Sequence, residues 1–241
     1  MAVDLISPYW PYVKAQENYY DLSDTVSLPR KIADYLIDAP RGDYVPPDDN
    51  RYPRCRLWKY LYYDGARPLS EPLPSIREKM SVVFNPDAPQ NPATEKGYRL
   101  IPQIFKKQSE ESARTSIYVY LGRTVPMDDE FRIALSVHFR IWTHYTQEAN
   151  TKTDEYSRAF AIEQALIEAF HGVNMTGVGT FFFSKAKHAD CGSGVIYDGE
   201  TNVGRELVLA LEVATTVPRG FGEAYNKPIS TANSSTLRWG G

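Results

Sequence analysis

The chain has few of the residues that most often carry cross-links or chemistry. It contains two cysteines and four histidines among 241 residues. Cys55 and Cys191 lie far apart in the sequence, which favours two buried free thiols in a reducing compartment over a disulfide framework. The formal net charge is -3, so the chain lacks the basic excess of proteins that grip nucleic acid. Composition thus argues against a DNA-wrapping protein.

Long apolar runs are missing as well. No stretch approaches the ~20 apolar residues that span a bilayer. The first residues, Met1 to Pro8, lack the basic start and apolar core of a secretory signal. We therefore expect no membrane partner and assembly in a cytoplasm.

The common catalytic motifs are also missing. There is no P-loop, GxGxxG after a strand, GxSxG or HExxH pattern. His188, Asp190 and Cys191 form the sharpest chemical cluster, but residues so close in sequence rarely meet in a triad geometry, and no second cluster completes a metal site. The run 198–204 resembles a calcium loop only vaguely, since Val203 stands where glycine is required, and a hairpin connection led by Asp-Gly explains it better. We expect no enzyme activity, no cofactor and no metal.

Proline divides the chain into two parts. Fifteen of the 17 prolines lie at or before Pro126. Proline removes a backbone donor and fixes φ, so a regular sheet or bundle is not expected in the first half. We interpret residues 1–115 as a loop-rich N-terminal arm, rich in proline and tyrosine, with a helix from about Pro29 to Ile37. The aromatic segment 56–63 could be helix or strand.

Regular patterning begins near Ile117 to Leu121, which predicts a strand. The run from Phe131 to Trp142 then alternates strictly, which predicts a long strand with one covered face. The covered face carries Phe131, Ile133, Leu135, Val137, Phe139 and Ile141. The opposite face, wet or turned to a neighbour, carries Arg132, Ser136, His138, Arg140 and Trp142.

A helix is predicted from Arg158 to His171, ending at Gly172. Its apolar stripe is Ala159, Ile162, Leu166, Ala169 and Phe170, with Glu163 and Glu168 outside. Strands at 178–184 and 207–213 and a turn at 198–199 follow. A helix lying on the covered sheet face gives an α+β fold, an antiparallel sheet packed by a helical layer. We assign residues 116–217 to this core domain and residues 218–241 to an extended C-terminal tail.

Aromatic residues suggest where partners could bind. The 17 tyrosines suit either subunit interfaces or the rim of a core, and the tail could dock on a neighbour through Trp239 or fray. The candidate residues for a subunit or partner interface are Trp10, Tyr19, Tyr20, Trp58, Tyr60, Tyr62, Arg132, Arg140, Trp142 and Trp239.

The run from Phe131 to Thr216 resembles the tail terminator and tail completion proteins that cap the tail tube of long-tailed bacteriophages. The resemblance rests on the long strand, the polar loop after it, the aromatic strand Phe181 to Phe183, the Asp198-Gly199 turn, and a helix that carries Arg158, Ala161, Ile162, Ala165, Leu166, Ala169 and Phe170. It covers roughly residues 115 to 216. The arm and the tail depart from it, which leaves open whether the chain is a terminator or another neck component.

The resemblance implies a structural virion protein of the tail or neck that forms a homo-oligomeric ring, commonly a hexamer. Its implied partners are further copies of itself, the tail tube protein and the head-tail connector or adaptor proteins. DNA would pass through the ring without specific binding, which suits a weakly acidic chain. One alternative is another virion binding module, in a baseplate or for receptors or glycans, with the aromatics of 56–63 stacking on carbohydrate. A second is a hydrolase or metal enzyme at His188, Asp190 and Cys191.

Overall fold

A computed structural model describes residues 27–37, 48–84, 96–103, 114–127, 132–150, 157–175, 178–198 and 202–214. The span Ser27–Val213 forms one compact unit. Its helices are α1 (Leu28–Ile37), α2 (Pro53–Tyr62), α3 (Ile76–Ser81), α4 (Tyr145–Asn150) and α5 (Arg158–Phe170). Its strands are β1 (Leu100–Ile101), β2 (Thr115–Pro126), β3 (Arg132–His144), β4 (Asn174–Met175), β5 (Gly179–Phe182), β6 (Gly192–Asp198) and β7 (Asn202–Ala214).

The described strands form one sheet in the order β1-β2-β3-β7-β5-β4, and β6 also pairs with β7. The pairs β2–β3, β5–β7 and β6–β7 are antiparallel, as expected for the predicted α+β fold. The short β1 departs from the prediction because it runs parallel to β2. With its helical layer, the unit is an α+β protein.

Strands β2 and β3 form a long antiparallel pair in the sheet, and their alternation of apolar side chains matches the pleat. Ile117 pairs with Ile141 and Val119 with Phe139, and all four side chains are buried. The register shifts between Leu121 and Thr124. Gly122 lies at this shift, where a Cβ would come 2.2 Å from His138 Nε2 and 2.5 Å from Ser136 Oγ, so a larger residue would displace those side chains. The predicted covered face of β3 is thus confirmed from Ile133 to Ile141.

Helix α5 lies where the apolar stripe predicts. The Ser157 hydroxyl accepts a hydrogen bond from the Phe160 amide, 3.1 Å away, and so caps its first turn. Gly172, with φ of 77°, follows its last turn. The predicted exposure of Glu163 is wrong: its side chain is buried and hydrogen-bonds Arg205 of β7, whose charge makes that burial tolerable.

The first half of the chain differs most from its prediction. Leu28, Ile32 and Leu36 of α1, with Trp58 and Leu61 of α2, belong to the same buried core as β2, β3 and α5. The described part of residues 27–115 is therefore packed structure and not an arm, and no domain boundary appears at residue 116. Prolines misled the prediction because two of them start helices: Pro29 is the second residue of α1 and Pro53 the first of α2.

Several other predictions either concern residues outside the described part of the chain or differ from the structure. The C-terminal tail 218–241 and the interface candidates Trp10, Tyr19, Tyr20 and Trp239 lie outside the described residues. The predicted polar loop after β3 begins as α4, and β6 was not predicted as a strand.

Candidate functional site

A polar network occupies the sheet face opposite the helical layer. One oxygen of Glu206 on β7, Oε1, accepts hydrogen bonds from three side chains. Tyr120 Oη donates from β2, His138 Nδ1 lies 3.2 Å away on β3, and Arg140 Nη2 lies 3.1 Å away on the same strand. Three side chains from β2 and β3 thus meet at the carboxylate of Glu206 on β7. We call Tyr120, His138, Arg140 and Glu206 the outer-face network.

Further contacts join the members of this network to one another. Arg140 Nη2 also donates to Tyr120 Oη at 2.9 Å. The rings of Tyr120 and His138 stack, with centroids 4.8 Å apart and planes at 16°. This stacking follows from the register, which places the two residues directly opposite each other on β2 and β3.

The network shifts the pKa values of Glu206 and Tyr120. Burial acts to raise the pKa of Glu206, but the bonds from Tyr120 and His138 and the charge of Arg140 outweigh it and hold that pKa below its usual value. Burial, followed by the bond to Glu206, raises the pKa of Tyr120. At neutral pH the site therefore presents an ionised carboxylate and a protonated phenol. Such a fixed arrangement of charge favours recognition of a partner surface.

The same face carries a second ionic group nearer the start of β3. Lys187 Nζ lies 2.7 Å from Glu212 Oε1, and Arg132 Nη1 lies 3.9 Å from Glu212 Oε2. The loop that bears Lys187 is also tied to β2, because His188 Nε2 lies 3.2 Å from the carbonyl oxygen of Arg123. This loop therefore packs on part of the outer face.

The structure brings three predicted interface residues to this face of β3: Arg132, Arg140 and Trp142. The Trp142 ring packs against Gly204 of β7, where a Cβ would come 2.7 Å from its ring and 2.3 Å from the Ile141 carbonyl oxygen. Glycine at position 204 is what lets β7 approach this part of β3. Sequence reasoning had placed these residues on one face correctly.

The aromatic candidates of α2 lie in the core. Trp58 is 0% exposed and donates its indole N–H to the Leu36 carbonyl at 2.6 Å. Tyr60 and Tyr62 are buried on the same helix. As placed in a single chain, these rings are not available to stack on a carbohydrate or to contact a neighbouring subunit.

The His188, Asp190 and Cys191 cluster has local structural contacts. The Asp190 amide donates to His188 Nδ1 at 3.2 Å, and the buried Cys191 thiol contacts the Phe182 carbonyl at 3.4 Å. Burial raises the pKa of Cys191, which disfavours the thiolate. Within the described ranges, no group of three His, Cys, Asp or Glu side chains is placed to hold a metal ion.

Sequence reasoning missed Tyr120 and Glu206 as site residues. The signal for Tyr120 was present, since Tyr118 and Tyr120 alternate with the apolar Ile117, Val119 and Leu121. Glu206 had no local signal. Its role depends on β7 lying beside β3, which is a long-range pairing.

The described residues define a class of protein: a two-layer α+β fold with a charged, hydrogen-bonded network on the sheet face opposite its helical layer. Residues 55–194, more than half of the chain, match the protein family described as YomW. The chain belongs to this family. The match begins in α2 and ends within β6, so it includes part of the region predicted as an arm.

Other comparisons add no relative. No curated protein and no solved structure shows a significant match to the chain. In the part of the chain that the structure describes, no helix has the length and apolar character needed to cross a membrane.

Proposed function

We propose that the chain is a structural virion protein of a long-tailed bacteriophage, a ring-forming tail terminator or a neighbouring neck component. In this role it caps the tail tube and joins it to the head connector, and DNA passes through the ring without specific binding. The proposed partners are further copies of the chain, most simply six in a ring, with the tail tube protein and the connector or adaptor proteins. The proposed location is the tail or neck of the virion.

The observation that carries this proposal is the order of elements from β2 to β7. A long antiparallel hairpin is followed by a helix on its covered face and by the returning strands β5, β6 and β7. This order agrees with the sequence resemblance to tail terminators. Because fold alone does not establish function, the proposal also needs a surface for assembly.

The outer-face network supplies a candidate for that surface. A closed ring joins two different patches on each subunit, so each patch must be presented rigidly. Arg140 is 40% exposed and is held by Tyr120 and Glu206, so its free edge is presented in a fixed geometry. A patch with oriented charge and a half-buried Trp142 has the polar and aromatic character of subunit interfaces.

The alternative virion binding module, in a baseplate or for receptors or glycans, has less support in this chain. Its proposed carbohydrate stackers were the aromatics of residues 56–63, and Trp58, Tyr60 and Tyr62 are buried. No specific contact favours it over the ring.

Electron microscopy and mass measurement of the purified full-length protein test the proposal. We expect closed rings, and we expect Arg140→Gln to reduce their fraction while the circular dichroism spectrum stays unchanged. Arg67→Gln is the matched control, because Arg67 is exposed and lies away from the outer face. A protein that remains monomeric at every concentration, and that is absent from virions, would contradict the proposal.

A further inference from the structure

Within the described residues, strand β6 has one open edge. It pairs with β7 along its whole length, from Gly192 opposite Val208 to Asp198 opposite Asn202. Among the described residues no strand pairs with its other side. The edge therefore presents unpaired backbone N–H and C=O groups, which act as a template for another strand.

This edge carries little of the usual protection, since the one charge in β6 is at its last residue, Asp198. Natural edge strands are guarded by lysine, other charges, proline or a bulge. Residues 192–197 read Gly-Ser-Gly-Val-Ile-Tyr, with no charge and no proline, and their register on β7 is continuous. An unguarded edge of this kind is a ready site for pairing with another strand.

One face of β6 is also apolar and uncovered. Val195 is 50% exposed and Tyr197 is 76% exposed. Val195 lies opposite Arg205, and Ser193 lies opposite Leu207. Since Leu207 is in the core and Arg205 bonds Glu163 of α5, this is the face on which the helical layer packs. The two exposed side chains extend that apolar surface beyond the layer.

The order of side chains in β6 is complementary to itself. If two β6 strands pair antiparallel about a two-fold axis at Val195, the two Val195 side chains face each other, and the larger Ile196 and Tyr197 each face a small residue. Tyr197 then lies opposite Ser193 of the second copy, and Ile196 opposite its Gly194. Aromatic and branched side chains stabilise a strand when they pack over a small cross-strand neighbour. The second copy of the chain therefore fits this edge without a charge clash.

We propose that two copies of the chain associate through antiparallel pairing of their β6 strands about a two-fold axis at Val195. The contact joins the two sheets into one and covers Val195 and Tyr197 of both copies. It is isologous, so it closes at two subunits and cannot by itself build a ring. It is therefore independent of the ring contact, and with that contact it would join two rings face to face.

Charge exchange at position 195 tests the two-fold axis directly. Val195→Lys alone and Val195→Glu alone each place two like charges opposite each other. We therefore expect each change to raise the dissociation constant of the dimer by on the order of tenfold or more. Mixing the two folded variants places opposite charges across the axis and is expected to restore pairs that contain one of each. Sedimentation of the full-length proteins, with a mass label on one variant, gives the readout.

Met80→Lys is the matched control, because Met80 is 54% exposed on α3 and its change is expected to leave association intact. Association that survives in both single variants would overturn the proposal, and so would a mixture of folded variants that fails to pair. Should the charged variants not fold, Val195→Cys provides the second test. Under mild oxidation it is expected to give a disulfide-linked dimer, while Met80→Cys gives none, since Cys55 and Cys191 are buried. No excess of dimer in Val195→Cys over Met80→Cys would overturn the contact.

Different results would contradict the proposed ring and the proposed β6 contact. Closed rings that keep their mass in the Val195 variants would contradict the β6 contact and leave the ring standing. Dimers that depend on Val195, without any closed ring, would contradict the proposed function and leave the β6 contact standing.

Discussion

Lys79 is a charged residue placed inside the core. Its side chain is 1% exposed, and its ammonium lies 5.7 Å from the centroid of the Trp58 ring. Burial lowers the pKa of Lys79 from 10.5 to about 8, and the charge of Arg54 adds to the effect. The cation–π contact offsets only part of the desolvation penalty.

Replacing this lysine is expected to stabilise the protein in a pH-dependent way. Below pH 8 the ammonium is protonated in both the folded and the unfolded chain, so the penalty of burying it is present in full. Between pH 8 and pH 10.5 the folded state releases a proton that the unfolded state keeps, and the stability of the native sequence rises. Lys79→Met should therefore raise the free energy of unfolding by about 3 kcal/mol at pH 7, and the gain should shrink toward pH 10.5.

Urea denaturation at several pH values measures this difference. Lys185→Met is the control, because Lys185 is exposed, and its effect is expected to stay within about 0.5 kcal/mol at every pH. A difference between Lys79→Met and the native sequence that does not change with pH would show that the folded protein does not depress this pKa.

At the scale of elements, one side chain joins two helices. Arg158, the first residue of α5, is 0% exposed and donates to carbonyl oxygens at and beyond the end of α2. Its Nη1 lies 2.7 Å from the Tyr63 oxygen, and its Nη2 lies 2.7 Å from the Gly65 oxygen. These carbonyls have no partner within α2, so the guanidinium completes the helix end.

Arg158→Met is expected to lower the free energy of unfolding by about 3 kcal/mol, because the buried Tyr60 carbonyl and the partly buried carbonyls of Tyr63 and Gly65 lose their donor. Arg158→Lys should not restore it, since a single ammonium cannot span the planar fork of a guanidinium. Thermal and urea unfolding measure both variants, with the exposed Arg67→Met as the control. A lysine variant as stable as the native sequence would show that charge alone holds the end of α2.

Local pattern predicted the elements that bury one face and expose the other. Strand β3 and helix α5 were predicted within two residues of their observed ends because Ile133 to Ile141 alternate and the α5 stripe follows helical spacing. Whether the segment that forms α2 is a helix or a strand was left open. Its own apolar and aromatic side chains lie on all sides of the helix, so the sequence shows no clear period. Strand β6 was missed because its glycines resemble a loop.

The site was predicted only in part, because alternation within one strand is visible in the sequence and pairing between distant strands is not. Arg140 and Trp142 could be placed on one face of β3 from alternation alone. Glu206 could not be joined to them, since its partners lie 66 and 68 residues earlier in the chain. Pairing between distant strands leaves no local trace in the sequence.

At the scale of the whole molecule, the predicted boundary at residue 116 makes a testable claim. If residues 27–115 were an arm, the fragment 114–217 would fold without them. The structure gives a reason to expect otherwise, because one buried core is shared by α1, α2, α5 and the central strands. Removing α1 and α2 would expose the inner sheet face beside α5. The core side chains that the fragment loses from these two helices include Leu28, Ile32, Leu36, Trp58 and Leu61.

The fragment 114–217 is therefore expected to lack a cooperative fold, whereas the fragment 27–217 should fold. Each fully buried large apolar side chain contributes about 1.5–3 kcal/mol, so the loss of five such residues rivals the roughly 5–15 kcal/mol by which a typical domain is stable. Near-ultraviolet circular dichroism, urea unfolding and binding of a hydrophobic dye distinguish the two outcomes. A sharp unfolding transition in the fragment 114–217, without dye binding, would restore the predicted boundary and make residues 27–113 an accessory to an independent core. A fragment 27–217 that also fails to fold would instead show that the core needs residues beyond both ends.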